Sequence, residues 1–60
     1  MHLITIFELA RRNERELQSL FHEVAETLSR SAPHSQERRN ALASLENISS
    51  VMRSRKQFQP

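Results

Sequence analysis

The sequence predicts an all-α fold in which a short N-terminal helix precedes an antiparallel helical hairpin. The chain has no glycine and only two prolines in 60 residues. Tight turns between strands depend on residues that tolerate positive φ, so this composition disfavours a β-rich domain. Good helix formers such as Ala, Leu, Glu, Arg and Gln are abundant. Apolar residues recur at steps of three and four along two segments, which indicates two amphipathic helices.

The N-terminal helix is predicted over residues 6–12. Thr5 and Glu8 have the spacing of a capping box, in which each side chain satisfies a free backbone N–H. Ile4 and Leu9 have the spacing of a hydrophobic staple across the same helix start. The residues with which this helix is expected to cover part of the hairpin are Ile6, Phe7, Leu9 and Ala10.

The central helix is predicted over residues 14–30. Asn13 followed by acidic residues is typical of a helix N-terminus, so we expect a break in the chain near Asn13. The alternative is one continuous helix over residues 6–30 with a polar notch. Pro33 ends the helix because it lacks an N–H and disfavours helical geometry in the residue before it. The apolar stripe of this helix is Leu17, Leu20, Phe21, Val24 and Leu28.

The last helix is predicted over residues 36–55, with Ser35 as its N-cap. A short loop between two amphipathic helices produces an antiparallel hairpin. Residues 57–60 are expected to form a frayed tail, and residues 1–60 a single small domain. The apolar stripe of this helix is Ala41, Leu42, Leu45, Ile48, Val51 and Met52.

The two stripes are expected to form the core. We expect the central stripe to be largely buried against four residues of the last helix. These four are Leu42, Leu45, Ile48 and Met52. Truncation of Phe21 to Ala is then expected to cost about 3–5 kcal/mol.

Two helices leave one side of each stripe without cover, and this predicts a surface for association. The candidate interaction surface consists of Leu20, Leu42 and Val51. A chain of this size without disulfides has little stability of its own, so burial of further apolar surface is favourable. We therefore expect a homo-oligomer, most simply a dimer, or docking on the helix of a partner protein. The function that follows is that of a small, non-enzymatic helical interaction module.

The basic residues of the last helix indicate an alternative function, that of a small nucleic-acid-binding regulator, although the charge difference between the two halves is too small to mark a nucleic-acid binder by itself. Residues 1–32 contain four arginines against five glutamates, whereas residues 33–60 contain five basic residues against two glutamates. The candidate nucleic-acid contacts are Arg38, Arg39, Arg53, Arg55 and Lys56. Tyr and Trp are absent, so the chain lacks the stacking residues of single-strand binders. At most micromolar, salt-sensitive contact with nucleic acid is expected.

Catalysis, cofactor binding and membrane insertion are not expected. The chain has neither Cys nor Asp, and no nucleophile stands beside a base as a catalytic site requires. His22 and Glu26 are one helical turn apart and supply at most two metal ligands, so we interpret them as surface residues. Charges interrupt every apolar window, which argues against a membrane span. A cytoplasmic location is expected because small secreted domains usually contain disulfides.

Overall fold

The computed structural model describes the backbone of residues 1–57 and the side chains of residues 1–55, and this part of the chain contains three helices. They are α1 (Ile6–Leu9), α2 (Glu14–Arg30) and α3 (Gln36–Gln57). α2 packs along α3, and α1 packs against α3 as well. No strand occurs in residues 1–57, so the predicted all-α class is confirmed. None of these helices has the length and apolar composition needed to cross a lipid bilayer.

α1 is shorter than predicted, because it ends at Leu9 after a single turn. The predicted residues 10–12 form turns instead, closed by bonds from Arg11 N to Glu8 O at 3.4 Å and from Arg12 N to Leu9 O at 3.0 Å. The Thr5 hydroxyl accepts a hydrogen bond from Glu8 N at 3.3 Å, as the capping signal predicts. The Glu8 carboxylate accepts from that hydroxyl at 3.5 Å and not from the Thr5 N–H, so half of the predicted box forms.

The predicted break at Asn13 is confirmed, and the alternative of a continuous helix is wrong. The Asn13 Oδ1 atom accepts from Glu16 N at 2.8 Å, and the Glu16 carboxylate accepts from Asn13 N at 3.0 Å. These two bonds complete a capping box, which satisfies N–H groups that a helix start leaves free. The break therefore has a local cause and allows α1 to leave the axis of α2.

The electrostatics of this cap make its contribution dependent on pH. The N–H of Asn13, and then the Arg12 guanidinium 3.2 Å away, lower the pKa of Glu16 below its usual value. A carboxylate whose pKa is lowered by folding stabilises the folded state above its unfolded pKa. That contribution is lost as the pH falls from the ordinary glutamate pKa through the lowered one.

The connection between α2 and α3 follows the predicted stop and start signals. α2 ends at Arg30, and the Ser35 hydroxyl caps α3 by accepting from Arg38 N at 3.0 Å. Two carbonyl groups at the end of α2 accept hydrogen bonds from Ser31. The Ser31 hydroxyl donates to Thr27 O at 2.6 Å, and the Ser31 N–H donates to Leu28 O at 3.2 Å.

The loop itself closes through a turn that requires a left-handed residue. Ser35 N donates to Ala32 O at 3.3 Å, so residues 32–35 form a β-turn with Pro33 in its second position. His34 occupies the third position with φ of 64°. Pro at the second position and positive φ at the third are the features of a type II turn, which usually has glycine there. Because the chain has no glycine, His34 adopts this conformation at a cost of roughly 1–2 kcal/mol.

The core lies between α2 and α3 and extends beneath the N-terminal residues. Its buried apolar residues are Ile4, Leu9, Leu17, Val24, Ala41 and Ile48. The prediction of burial is confirmed for Leu17, Val24 and Ile48. The remaining members of the predicted core are half-buried against this cluster, apart from Leu42. They are Leu20, Phe21, Leu28, Leu45 and Met52.

Leu42 stays partly uncovered, as expected, but α1 covers less than predicted. Leu42 is 47% exposed, because the buried Ala41 takes the inward position and the next residue is turned by about 100°. In α1 only Leu9 is buried, while Ile6 and Phe7 are 50% and 87% exposed. Phe7 is about 200° from Leu9 around the helix, so a single turn cannot bury both.

These differences in burial predict which of two core truncations lowers the free energy of unfolding more. Leu17→Ala is expected to lower the free energy of unfolding by about 2–5 kcal/mol, because the fully buried side chain leaves a cavity. Phe21→Ala is expected to cost less, since water already reaches its ring. Urea unfolding followed by circular dichroism measures both values. A larger loss for Phe21→Ala would show that the core is centred on the ring and not on Leu17.

The turn predicts a stabilising substitution at His34. Glycine has no Cβ to oppose positive φ, so His34→Gly is expected to raise the free energy of unfolding by up to about 1 kcal/mol. Ala32→Gly is the matched control. Ala32 has negative φ in the same turn, so glycine at this position relieves no strain and only raises the conformational entropy of the unfolded chain. Thermal melts of both variants measure the difference. Equal melting temperatures would contradict the left-handed assignment.

Candidate interaction surface

One side of α3 is occupied by the N-terminal segment, residues 1–10. A polar ladder of three α3 side chains, Asn40, Ser44 and Asn47, binds the backbone of this segment. Asn40 Nδ2 donates to Met1 O at 2.9 Å. The Ser44 hydroxyl accepts from Ile4 N at 3.0 Å, and Asn47 Nδ2 donates to Ile4 O at 2.9 Å. These bonds hold an extended stretch along α3 without a β-strand partner.

The central residue of the polar ladder, Ser44, lies in the core, whereas Asn40 and Asn47 are half-buried. Ser44 is fully buried, and Ile4, whose N–H it binds, is only 7% exposed. No side-chain polar atom buried in the described residues lacks a hydrogen-bond partner. Paired in this way, the hydroxyl and the amides lose little on leaving water. The ladder therefore allows Ile4 and Leu9 to cover one flank of the helical hairpin.

The ladder is a feature that the sequence prediction missed. Asn40, Ser44 and Asn47 follow steps of four and three, so they share one face beside the apolar stripe. Asn and Ser are weak helix formers, because their side chains compete for backbone groups. Three such residues on one face of a helix are the signal that was available. They identify a polar face but not the segment that binds it.

Two of the five predicted nucleic-acid contacts bind carbonyl groups of the chain itself. Arg38 Nη1 donates to Leu28 O at 3.3 Å, which satisfies a carbonyl of the last turn of α2. Arg55 Nη2 lies 3.5 Å from Leu9 O and 3.4 Å from Ala10 O, at the end of α1. Both side chains are half-buried. Their contacts stabilise helix ends, where free carbonyl groups favour cations.

The other predicted cations are separated. Arg39 and Arg53 are both exposed, but they are 14 positions apart, which corresponds to about 21 Å along a helix. The side chain of Lys56 lies outside the described residues. In a single chain the described basic side chains therefore do not converge on one patch.

No described segment of the chain covers the side of α3 opposite the ladder. Leu42 lies two residues before Ser44, about 200° away around the helix. We name this side the open face and define it by Phe21, Leu42, Leu45, Ser49 and Arg53, which line one hollow together with neighbouring polar residues. Phe21 and Leu45 are half-buried there, whereas Leu42 stands out as the most exposed large apolar residue of α2 and α3.

The three residues of the predicted interaction surface are not brought together. Leu42 belongs to the open face, whereas Val51 lines a hollow on the other side with Ile6 and Arg55. Leu20 is half-buried against the core. Among the side chains of residues 1–55, the most exposed large apolar one is instead Phe7, which lines a hollow with Glu8, Arg11, Arg12 and Glu16. The sequence prediction had assigned Phe7 to the covered side of α1.

His22 and Glu26 lie on the exposed surface of α2. Within the described residues, no group of three or more His or Glu side chains is placed to hold a metal ion. Comparison with known proteins adds no assignment, because the chain matches no family model, no curated protein and no solved structure.

The ladder predicts that a small, conservative change is destabilising. Ser44→Ala removes the partner of the buried Ile4 N–H, and the loss is expected to be about 1–3 kcal/mol, offset slightly by the better helix propensity of Ala. Ser50→Ala, on the exposed side of the same helix, is the matched control. Urea unfolding gives the stability change, and hydrogen exchange of the Ile4 amide shows whether the segment has been released. Unchanged stability and exchange would refute the role of Ser44.

Proposed function

We propose that the protein is a small, non-enzymatic interaction module that self-associates or docks on a partner protein. The observation that carries this proposal is the exposure of large apolar side chains on a chain this small. Phe7 is 87% exposed and Leu42 is 47% exposed. Burying such a side chain is worth about 1.5–3 kcal/mol, which is a large gain for a marginally stable domain.

The shape of the molecule supports the same function. Its extents are 41 × 17 × 16 Å, and a helix with its side chains is about 10–12 Å across. A body this narrow has no room for an enclosed substrate cavity, and each helix keeps a surface for contact. The N-terminal segment already covers one flank of the hairpin, so the open face is the side on which a further helix can pack.

The nucleic-acid alternative has weaker support. It depends on five cations acting together, and Arg38 and Arg55 already contact carbonyl groups of the chain. We place the module in the cytoplasm as part of this proposal, since the chain has no cysteine with which to form disulfides.

Position-specific photocrosslinking tests the proposal. A photoreactive amino acid at Phe7 or at Leu42 is expected to give crosslinks to protein in the native cells, because these side chains are buried by a partner chain. The same amino acid at Glu26, on the exposed outer side of α2, is the control. Crosslinks that resist nuclease support the proposal, and crosslinks that nuclease removes support the alternative. Equal labelling at all three positions, with a monomer at every concentration in sedimentation equilibrium, would refute it.

A further inference from the structure

The open face has a pattern of charge that suits a second copy of the same chain. Leu42 has Arg39 three residues before it and Glu46 four residues after it, so the three side chains share one helical surface. All three are exposed. Neither the Arg39 guanidinium nor the Glu46 carboxylate forms an ion pair or a side-chain hydrogen bond with the described residues. An apolar centre is thus flanked by two opposite and uncommitted charges.

We propose that two copies of the chain associate through α3 in antiparallel orientation, with Leu42 of each copy beside the two-fold axis. This inference rests on the proposed function and specifies the partner and the contact. When two identical helices run antiparallel, a residue before the axis faces a residue after it in the other copy. Arg39 of one copy then faces Glu46 of the other, and the symmetry makes this pair twice.

The charges select this orientation over its alternative. In a parallel arrangement Arg39 would face Arg39 of the second copy, and Glu46 would face Glu46. Both contacts bring like charges together and are unfavourable. In the antiparallel arrangement the same residues form two attractive contacts instead. The patch is therefore complementary to itself, as an interface with two-fold symmetry requires.

The surface around Leu42 provides space for the side chain of the second copy. Leu42 stands between two hollows of the same surface. One hollow contains Phe21, Leu45 and Glu46, and the other contains Pro33 and His34. Leu42 of the second copy fills the first hollow and covers the half-buried Phe21 and Leu45. Apolar burial supplies the affinity, while the exposed ion pairs, worth about 0–1 kcal/mol each, fix the register.

Charge reversal tests this inference without disturbing the core. In R39E alone and in E46R alone, both intermolecular pairs become repulsive, and we expect the association constant to fall by about tenfold or more in each. An equimolar mixture of R39E and E46R restores both pairs in a heterodimer, and the double variant R39E/E46R restores them in a homodimer. Sedimentation equilibrium over a wide concentration range measures all five samples, wild type included.

Matched controls separate a specific contact from a general effect of charge. R15E and E26R make the same exchanges on the exposed outer side of α2, and neither they nor their mixture should change association. Circular dichroism melts confirm that each variant is folded. Recovery in the mixture and in the double variant supports the inference, since damage to the fold cannot be rescued by mixing.

Different results would overturn this inference and the proposed function. A wild-type dimer that R39E and E46R leave unchanged would overturn the α3 contact, while self-association would still stand. A wild type that remains monomeric at every concentration would also overturn the inference. In that case, nuclease-resistant crosslinks at Phe7 or Leu42 would retain the proposed function through a different protein partner.

Discussion

The hydrogen bond between the Ser44 hydroxyl and the Ile4 N–H is the contact on which the rest of the structure depends. A two-helix hairpin has two flanks, and a 60-residue chain without disulfides has few further residues with which to cover either of them. The chain covers one flank with an extended segment whose backbone must be satisfied once it leaves water. Ser44 meets that requirement inside the core. With it in place, Ile4 and Leu9 complete the buried cluster that includes Leu17 and Ile48.

Local features were predictable because their causes lie within a few residues. Asn13 and Ser35 cap their helices as their positions indicate, and these bonds span only three residues. The inner residues Leu17, Val24 and Ile48 were predictable from helical periodicity alone. Periodicity defines the direction of a stripe but not how deeply each of its residues is buried, and this is why Phe21 was predicted to be largely buried although it is only half-buried.

The candidate site was predictable only in part, and the reason is again the N-terminal segment. The sequence indicated an uncovered apolar surface and placed Leu42 in it. Periodicity places Leu42 and Val51 about 180° apart around α3, but it does not show that the N-terminal segment contacts the side that carries Val51. Arg55 illustrates the same limit. Its charge suggests a contact with phosphate, whereas its nearest acceptors are two carbonyl groups at the end of α1, 45 and 46 residues away.

The polar ladder also has a consequence for the order in which the chain folds. Its bonds join residues separated by 39 to 43 positions, whereas the turn between α2 and α3 brings those helices together locally. A contact between distant positions closes a longer loop, and this costs more conformational entropy. Such contacts are therefore expected to form late. We therefore expect the hairpin to form first and the N-terminal segment to join it in a second step. We expect the segment to open more readily than the hairpin in the native ensemble, and its release to expose one flank of the buried cluster.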